Sequence, residues 1–347
     1  MSVTTNSHNP VSSNYKPHFG AGIKLYSGLI TQGLAAGYLK APKLSRLRPF
    51  ISLDTFSKTS HLDHEPVYFT NSDGMRLSGF WFPTQPATNQ TMILGHGYCA
   101  HSGSMAPLIQ PFLQTGHNVF LFDFRAHGKS QGARTSLGFH EGKDLAAAMQ
   151  FIHEKYGAKA EKISYLGHSM GAAAFLFLPK SIEGHVGLLE LIDQRLQKII
   201  LDSSYAVINP SDDPNVTKLL KFFPRAVQHW FLRRVHSFEK NSDTSMQLPA
   251  PIHQLFPADL YTEAGRFKDK PILILHGKKD TRTSYAQGEE ILKTLNQKGF
   301  KAKLVALNAN HFINDWKPTP GRSRYRAILR DDLHYVESVK DFLKEAP

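Results

Sequence analysis

Beyond residue 65 the chain alternates short runs, apolar at nearly every position, with longer stretches in which apolar residues recur every three or four. The short runs fall at residues 92–94, 119–124, 163–166, 199–201, 272–275 and 304–307. A strand that is apolar on both faces needs cover on both, which is the condition of a strand in a parallel sheet flanked by helices. Between the runs, Leu145, Ala148, Met149 and Ile152 share one face of a helix predicted over 142–156. Ile291, Leu292 and Leu295 do the same after Gln287, and Leu333, Val336 and Phe342 in a terminal helix. Two β-rich runs, 67–70 and 76–82, precede this rhythm with Asn71-Ser72-Asp73-Gly74 between them, a turn sequence that predicts an antiparallel hairpin. The pattern is that of an α/β fold: an open, mostly parallel sheet with an antiparallel start and no internal repeat.

One interval breaks the alternation. The stretch between Asp202 and Ile272 is too long for a simple crossover. It contains Pro210, Pro214, Pro224, Pro249, Pro251 and Pro257 and an aromatic segment around Phe222, Phe223, Trp230 and Phe231. We read about 205–268 as a small helical lid over the edge where ligands bind; the alternative is a surface elaboration away from substrate. Residues 1–60 read as a separate polar tail, helical segment and basic linker, ahead of a main domain over 61–347. The first 18 residues lack a basic region leading into an apolar one, so no secretory signal is predicted. Residues 20–39 approach membrane-spanning length but carry Lys24, Gln32 and several glycines, which suits an amphipathic helix on the body or on a membrane surface. Lys40, Lys43, Arg46 and Arg48 follow it. The expected location is cytoplasmic, with peripheral contact to the inner face of the membrane through this segment left open.

Composition changes the picture in three places. At 347 residues, 41% hydrophobic and 20% charged, the chain is an ordinary globular protein, which excludes collagen, a coiled coil and wholesale disorder. One cysteine, Cys99, excludes an intramolecular disulfide framework and a cysteine-based zinc site. The net charge of +12 attracts anions in general, but no zinc-finger spacing, RNP motif or basic heptad region turns it into specific nucleic-acid recognition. The densest basic run is Arg322, Arg324, Arg326 and Arg330, read as a solvated face with an anion-binding role as the rival. His61-Leu62-Asp63-His64-Glu65 lacks a further clustered ligand and is read as a solvated linker, so neither metal nor cofactor is expected. The oligomeric state stays open.

The strongest chemical signal is Gly167-His168-Ser169-Met170-Gly171. It follows the apolar run at 163–166 and precedes the helix-like Ala172-Ala173-Ala174-Phe175-Leu176, the strand–turn–helix setting that a nucleophile elbow requires. The glycines are expected to allow a tight turn that holds the Ser169 hydroxyl out at the sheet's C-terminal edge. A serine at its own pKa is a weak nucleophile and needs a base. In such folds the acid and base follow later in the chain, and they do so here. Asp280 comes just after the run at 272–275, and His311 after the run at 304–307. Asp259, Asp269 and Asp315 are rival acids. His311 would take the Ser169 proton while Asp280 holds its tautomer. The backbone N–H groups of Tyr98, in the loop after His96-Gly97, and of Met170 are the expected oxyanion donors. His96 is assigned to bracing that loop, His168 to packing beside the elbow, and Asp123-Phe124-Arg125-Ala126-His127-Gly128-Lys129-Ser130 to a structural hydrogen-bonded loop. Cys99 lacks the elbow setting and is set aside as a nucleophile.

These elements together resemble the α/β-hydrolase superfamily, specifically bacterial serine hydrolases of the serine-aminopeptidase-like and BEM46-like kind. The matching elements are Asp73-Gly74 with Leu77 and Gly79, His96-Gly97, residues 123–130 and 167–171, His276-Gly277 with Asp280, and His311-Phe312. The resemblance implies an eight-stranded sheet with its second strand antiparallel and a lid inserted after the sixth. Two departures stand out: Ala126 replaces a frequent glycine, and 314–330 is longer and more basic than the usual step to the final helix. The function it implies is hydrolysis of carboxylic esters through an acyl-enzyme, with acylglycerols and thioesters as candidate substrates carrying an apolar acyl or alcohol group. An amidase or peptidase of the same fold, or a non-catalytic membrane-associated binding protein, are the alternatives.

Overall fold

A computed structural model describes residues 61–207, 255–311, 314–317, 326–329 and 332–345. The N-terminal segment at 20–39, the aromatic segment around Trp230, and Arg322, Arg324 and Arg330 lie outside the described residues; Arg326 is described in its backbone only.

The expected hairpin is present as β1 (Glu65–Thr70) and β2 (Arg76–Phe82), joined with Thr70 opposite Arg76. The apolar runs become β3 (Gln90–Gly95), β4 (Asn118–Phe122), β5 (Lys162–His168), β6 (Leu196–Asp202), β7 (Ile272–Gly277) and β8 (Ala302–Leu307). They form one eight-stranded sheet in the order β1-β2-β4-β3-β5-β6-β7-β8. β2 is antiparallel to both its neighbours, and every pairing from β4 to β8 is parallel. Successive residues of one strand enter opposite layers. Ile93, Tyr165, Ile199 and Ile274 join one core, while Met92, Leu94, Leu166, Ile200 and Leu273 join the other. This is why these strands carry no polar face.

The helices are α1 (Ile109–Gln114), α2 (Glu141–Tyr156), α3 (Met170–Ser181), α4 (Val186–Arg195), α5 (Pro257–Ala264), α6 (Tyr285–Gln297) and α7 (Asp332–Lys344). A 3-10 helix, Ser102–Leu108, follows β3, and α1 continues from it. Pro107 within this stretch removes a backbone donor and disfavours regular α-helical pairing there. α5 belongs to the body: Tyr261 is fully buried against Phe175 of α3 and Phe267. The last part of the interval assigned to the lid is thus core, and residues 208–254 of it lie outside the described residues. Two further short strands, β9 (Asn314–Lys317) and β10 (Arg326–Leu329), pair antiparallel within the long basic stretch. The segment read as a solvated linker leads into β1 with His61, Asp63 and Glu65 exposed and Leu62 and His64 half-buried. The His64 ring stacks on Phe80 and Phe82, and Glu65 accepts from Lys155 and Tyr156.

The strand order reverses about β3, which lies between β4 and β5. In open parallel sheets the crevice at such a reversal, beyond the strands' C-terminal ends, is where ligands bind. The loops leaving β3 and β5 are those that carry Tyr98 and Ser169.

Four buried histidines make the fold sensitive to acid. Burial penalises the cation at His96, His117, His127 and His140, lowering each below the ordinary histidine value, His117 and His140 to about 4. Below about pH 6.5 the unfolded chain therefore takes up protons that the folded chain refuses, and stability falls with pH. Thermal denaturation is expected to show a transition that is full at pH 7 and drops steadily between about pH 6.5 and pH 4. A midpoint that stays flat across that window would contradict the burial of neutral histidines.

Candidate active site

β5 ends on Gly167-His168 and the chain turns at Ser169 into α3. The strain of this turn lies at Ser169 itself, with φ 53° and ψ −114°, a conformation that costs a non-glycine residue about 1–3 kcal/mol. Neither Gly167 nor Gly171 has positive φ. They are needed for clearance, which corrects the expectation that they supply the turn. A Cβ on Gly171 would stand 2.5 Å from the Gly95 carbonyl oxygen, and one on Gly167 would stand 2.5 Å from the Gly171 carbonyl carbon. Two further bonds fix the elbow: Ser169 N–H donates to the Asp202 carbonyl at 2.8 Å, and the buried Tyr165 hydroxyl donates to the Gly171 carbonyl at 2.7 Å. Because the clash is with backbone, Gly171→Ala is expected to destabilise the fold by about 1–3 kcal/mol, read from denaturant unfolding. A change below about 0.5 kcal/mol would mean the close approach of β3 to α3 is not real.

The acid and base come from neighbouring loops. β7 and β8 pair with Gly277 opposite Leu307, so the segments that follow them leave the sheet side by side. They bring His311 Nε2 to 3.1 Å from Ser169 Oγ, and His311 Nδ1 to 2.8 Å from Asp280 Oδ2. The Asp280 carboxylate is otherwise saturated: Oδ1 accepts from the N–H groups of Arg282 (2.9 Å) and Thr283 (3.0 Å), and Oδ2 from the Thr283 hydroxyl (3.0 Å). Burial alone would raise its pKa. The hydrogen bond and charge of His311, with the two N–H donors, outweigh burial and hold it below the ordinary aspartate value. It is an anion beside the imidazole, which keeps the proton on Nδ1 and leaves the Nε2 lone pair for the serine.

The rival acids are placed elsewhere. Asp259 lies in the first turn of α5, exposed Asp269 pairs with Lys270 at 3.0 Å, and Asp315 is in β9, where its side chain is outside the described residues. The sequence reading missed Thr283, whose hydroxyl also lies 3.0 Å from His311 Nδ1 and 3.1 Å from the Ser203 carbonyl. The available signal was its position three residues after Asp280, the spacing of a turn that the carboxylate caps.

His168 packs beside the elbow as expected, its ring 5.1 Å from that of His311 and its Nδ1 3.3 Å from the fully buried Asp202 carboxylate. The loop after β3 folds over the serine, so that a Cβ on Gly97 would sit 3.4 Å from that of Ser169. Ser169 is 8% exposed and His311 7%, so the hydroxyl lies at the sheet edge but under cover, not open at the rim as the sequence suggested. In the same loop the Ala100 N–H donates to Gly97 O and the Cys99 N–H to His127, which leaves neither for an oxyanion. Met170 opens α3, where N–H groups face outward and the helix dipole favours negative charge. The loop after β4 is structural, as expected. Asp123 accepts from the N–H groups of Ser102 and Lys129, and Arg125 is bound by Asp144 and Asp73. Ala126 occupies a left-handed position, φ 64°, where glycine would be unstrained.

Among the described residues no group of three histidine, cysteine or acidic side chains could hold a metal ion, and no helix is long and apolar enough to cross a membrane.

The eight-stranded order, the strained serine between β5 and α3, and the loops that follow β7 and β8 are those of the α/β-hydrolase fold. Residues 86–248 match the family model described as serine aminopeptidase, S33. The uncharacterised protein YfhR of Escherichia coli K12 is 29% identical over 150 residues, covering 41% of this chain and 48% of that protein. The chain thus spans about half the length of the first curated relatives it matches. Over a longer span, 71% of this chain and 86% of the other, it is 22% identical to monoglyceride lipase of Saccharomyces cerevisiae. Among solved structures, an esterase of Pyrococcus furiosus superposes with TM-score 0.58 at 22% identity, covering 83% of this chain and 91% of that one. An α/β-hydrolase of Vibrio vulnificus gives 0.59 at 14% identity over 97% of each chain.

Proposed function

We propose that the protein is a serine hydrolase of carboxylic esters. The observation that carries this reading is the hydrogen-bonded series Ser169–His311–Asp280 at the C-terminal edge of the sheet. Ser169 Oγ attacks the acyl carbonyl as its proton passes to His311 Nε2. The resulting imidazolium is stabilised by the Asp280 carboxylate, and His311 then returns the proton to the leaving alcohol. The N–H groups of Tyr98 and Met170 hold the oxyanion. Water, activated by the same imidazole, releases the acid from the acyl-enzyme.

An apolar acyl or alcohol group suits the surroundings. Tyr98 packs on a cluster of Leu137, Phe139, Phe177, Tyr205 and Leu255 beside α3. Likeness to a monoglyceride lipase and to an esterase points the same way. The match to a family model named for an aminopeptidase favours a second reading, amide hydrolysis by the same residues. A panel of p-nitrophenyl esters of rising acyl length, monoacylglycerols and aminoacyl amides separates the two. Ester turnover at least about a hundredfold above that of the matched amides is expected, with preference for medium over acetyl chains. The reverse order would replace the esterase with a peptidase.

A further inference from the structure

Two buried histidines tie the loop after β3 to the loop after β4 reciprocally. His96 Nδ1 lies 2.8 Å from the Gly97 carbonyl oxygen. A carbonyl only accepts, so Nδ1 carries the proton and Nε2 is a bare lone pair. That lone pair accepts the Phe124 N–H of the other loop at 3.0 Å. His127 repeats the arrangement in the opposite direction. Its Nδ1 donates to the Arg125 carbonyl at 2.8 Å, and its Nε2 accepts the Cys99 N–H of the first loop at 3.2 Å. The two rings meet edge to face with centroids 5.0 Å apart. Each loop thus supplies one imidazole whose lone pair binds an amide of its neighbour.

The end of this brace that matters for chemistry is Cys99. Its backbone has φ 54°, a left-handed conformation that a residue with a Cβ keeps only when its surroundings hold it there. The peptide held by His127 joins Tyr98 to Cys99, and Gly97, one residue earlier, packs against Ser169. Relaxation at Cys99 would turn that peptide and shift Tyr98, whose N–H the proposed mechanism assigns to the oxyanion.

We infer that His127, with His96 as its counterpart, is a positioning residue for the oxyanion-binding loop of the Ser169 site. This rests on the proposed hydrolase reading and adds residues to which that reading gives no part. An oxyanion exists only after nucleophilic attack, so the brace acts on the transition state and leaves substrate binding nearly unchanged.

The test compares His127→Phe, which keeps a ring but has no lone pair, with His127→Gln, whose amide can accept from Cys99 and donate to Arg125. Rates are expressed per site titrated to completion with a fluorophosphonate, so molecules that fail to fold do not count. In His127→Phe, kcat is expected to fall about ten- to a hundredfold with KM within about twofold. Affinity for a trifluoromethyl ketone, which forms a tetrahedral adduct, should fall by the same factor, and His127→Gln should recover part of both. If the Phe variant does not fold, His127→Gln and His96→Gln carry the same comparison, a lower kcat at unchanged KM being the supporting result. Per-site kcat within twofold of wild type, or a rise in KM alone, overturns the inference while leaving the hydrolase reading intact. Failure of the wild type itself to label overturns both.

Discussion

Ser169→Ala is expected to abolish ester turnover, lowering kcat by about 10⁴-fold or more, while the protein stays folded. The hydroxyl oxygen is the atom that forms the covalent intermediate, and the methyl group left by the substitution has no lone pair with which to attack. When residues act as one unit, loss of the nucleophile alone costs on the order of 10⁶ in kcat in a well-studied serine hydrolase, because the remaining groups then have nothing to activate. The fold should tolerate the change. The substituted residue occupies the same strained backbone, the N–H bond to Asp202 is kept, and one oxygen is lost from a site 8% exposed. The appropriate comparison is kcat with the preferred p-nitrophenyl ester alongside the thermal midpoint of the same preparation. Cys99→Ala serves as the control and is expected to retain both activity and probe labelling. Residual turnover above about one hundredth of wild type, with contaminating enzyme excluded, would remove Ser169 from the mechanism.

Asp280→Asn is expected to lower kcat by about 10⁴-fold with little change in structure. The substitution keeps an oxygen where Oδ1 accepts from the N–H groups of Arg282 and Thr283. It places an NH₂ group where Oδ2 faced His311 Nδ1 at 2.8 Å. That NH₂ needs an acceptor, so it selects the tautomer with the proton on Nε2. The imidazole then presents a hydrogen to the serine in place of a lone pair. Nothing remains to stabilise the imidazolium either, since the carboxylate that balanced it is gone. His311→Ala removes the base outright and is expected to fall as far. Near-normal turnover in Asp280→Asn would mean that another acid orients His311, and turnover in His311→Ala would mean another base.

The parts of the site that could be found in the sequence share one property: each stands at the end of an apolar run. Ser169, Asp280 and His311 follow β5, β7 and β8 within a few residues, and parallel strands necessarily end on the same edge. Tyr98 follows β3 in the same way. What was not legible depends on partners far away in the chain. His127 acts through the amide of Cys99, a contact that leaves no spacing to read, and Thr283, although three residues from Asp280, reaches Ser203 and His311 only in the folded chain. The reason for Gly171 was also hidden, because it is the proximity of Gly95 on the neighbouring strand, whereas Gly167 is held to glycine by Gly171 within the turn itself. Among the elements, the sheet was readable from its unbroken apolar runs. α5 is not separable from the lid in the sequence because its one fully buried aromatic, Tyr261, lies in a helix of eight residues at the end of the long proline-rich interval. β9 and β10 are four residues each and carry no alternation long enough to separate them from a loop.

The decisive measurement is mass spectrometry of the intact protein and its proteolytic peptides after reaction with a fluorophosphonate. One adduct per chain, carried by the peptide containing Ser169 and lost in Ser169→Ala and in heat-denatured protein, is the predicted result. No adduct on the folded protein, or one carried by Cys99 or another serine, would contradict the assignment of Ser169, His311 and Asp280 as the reacting centre.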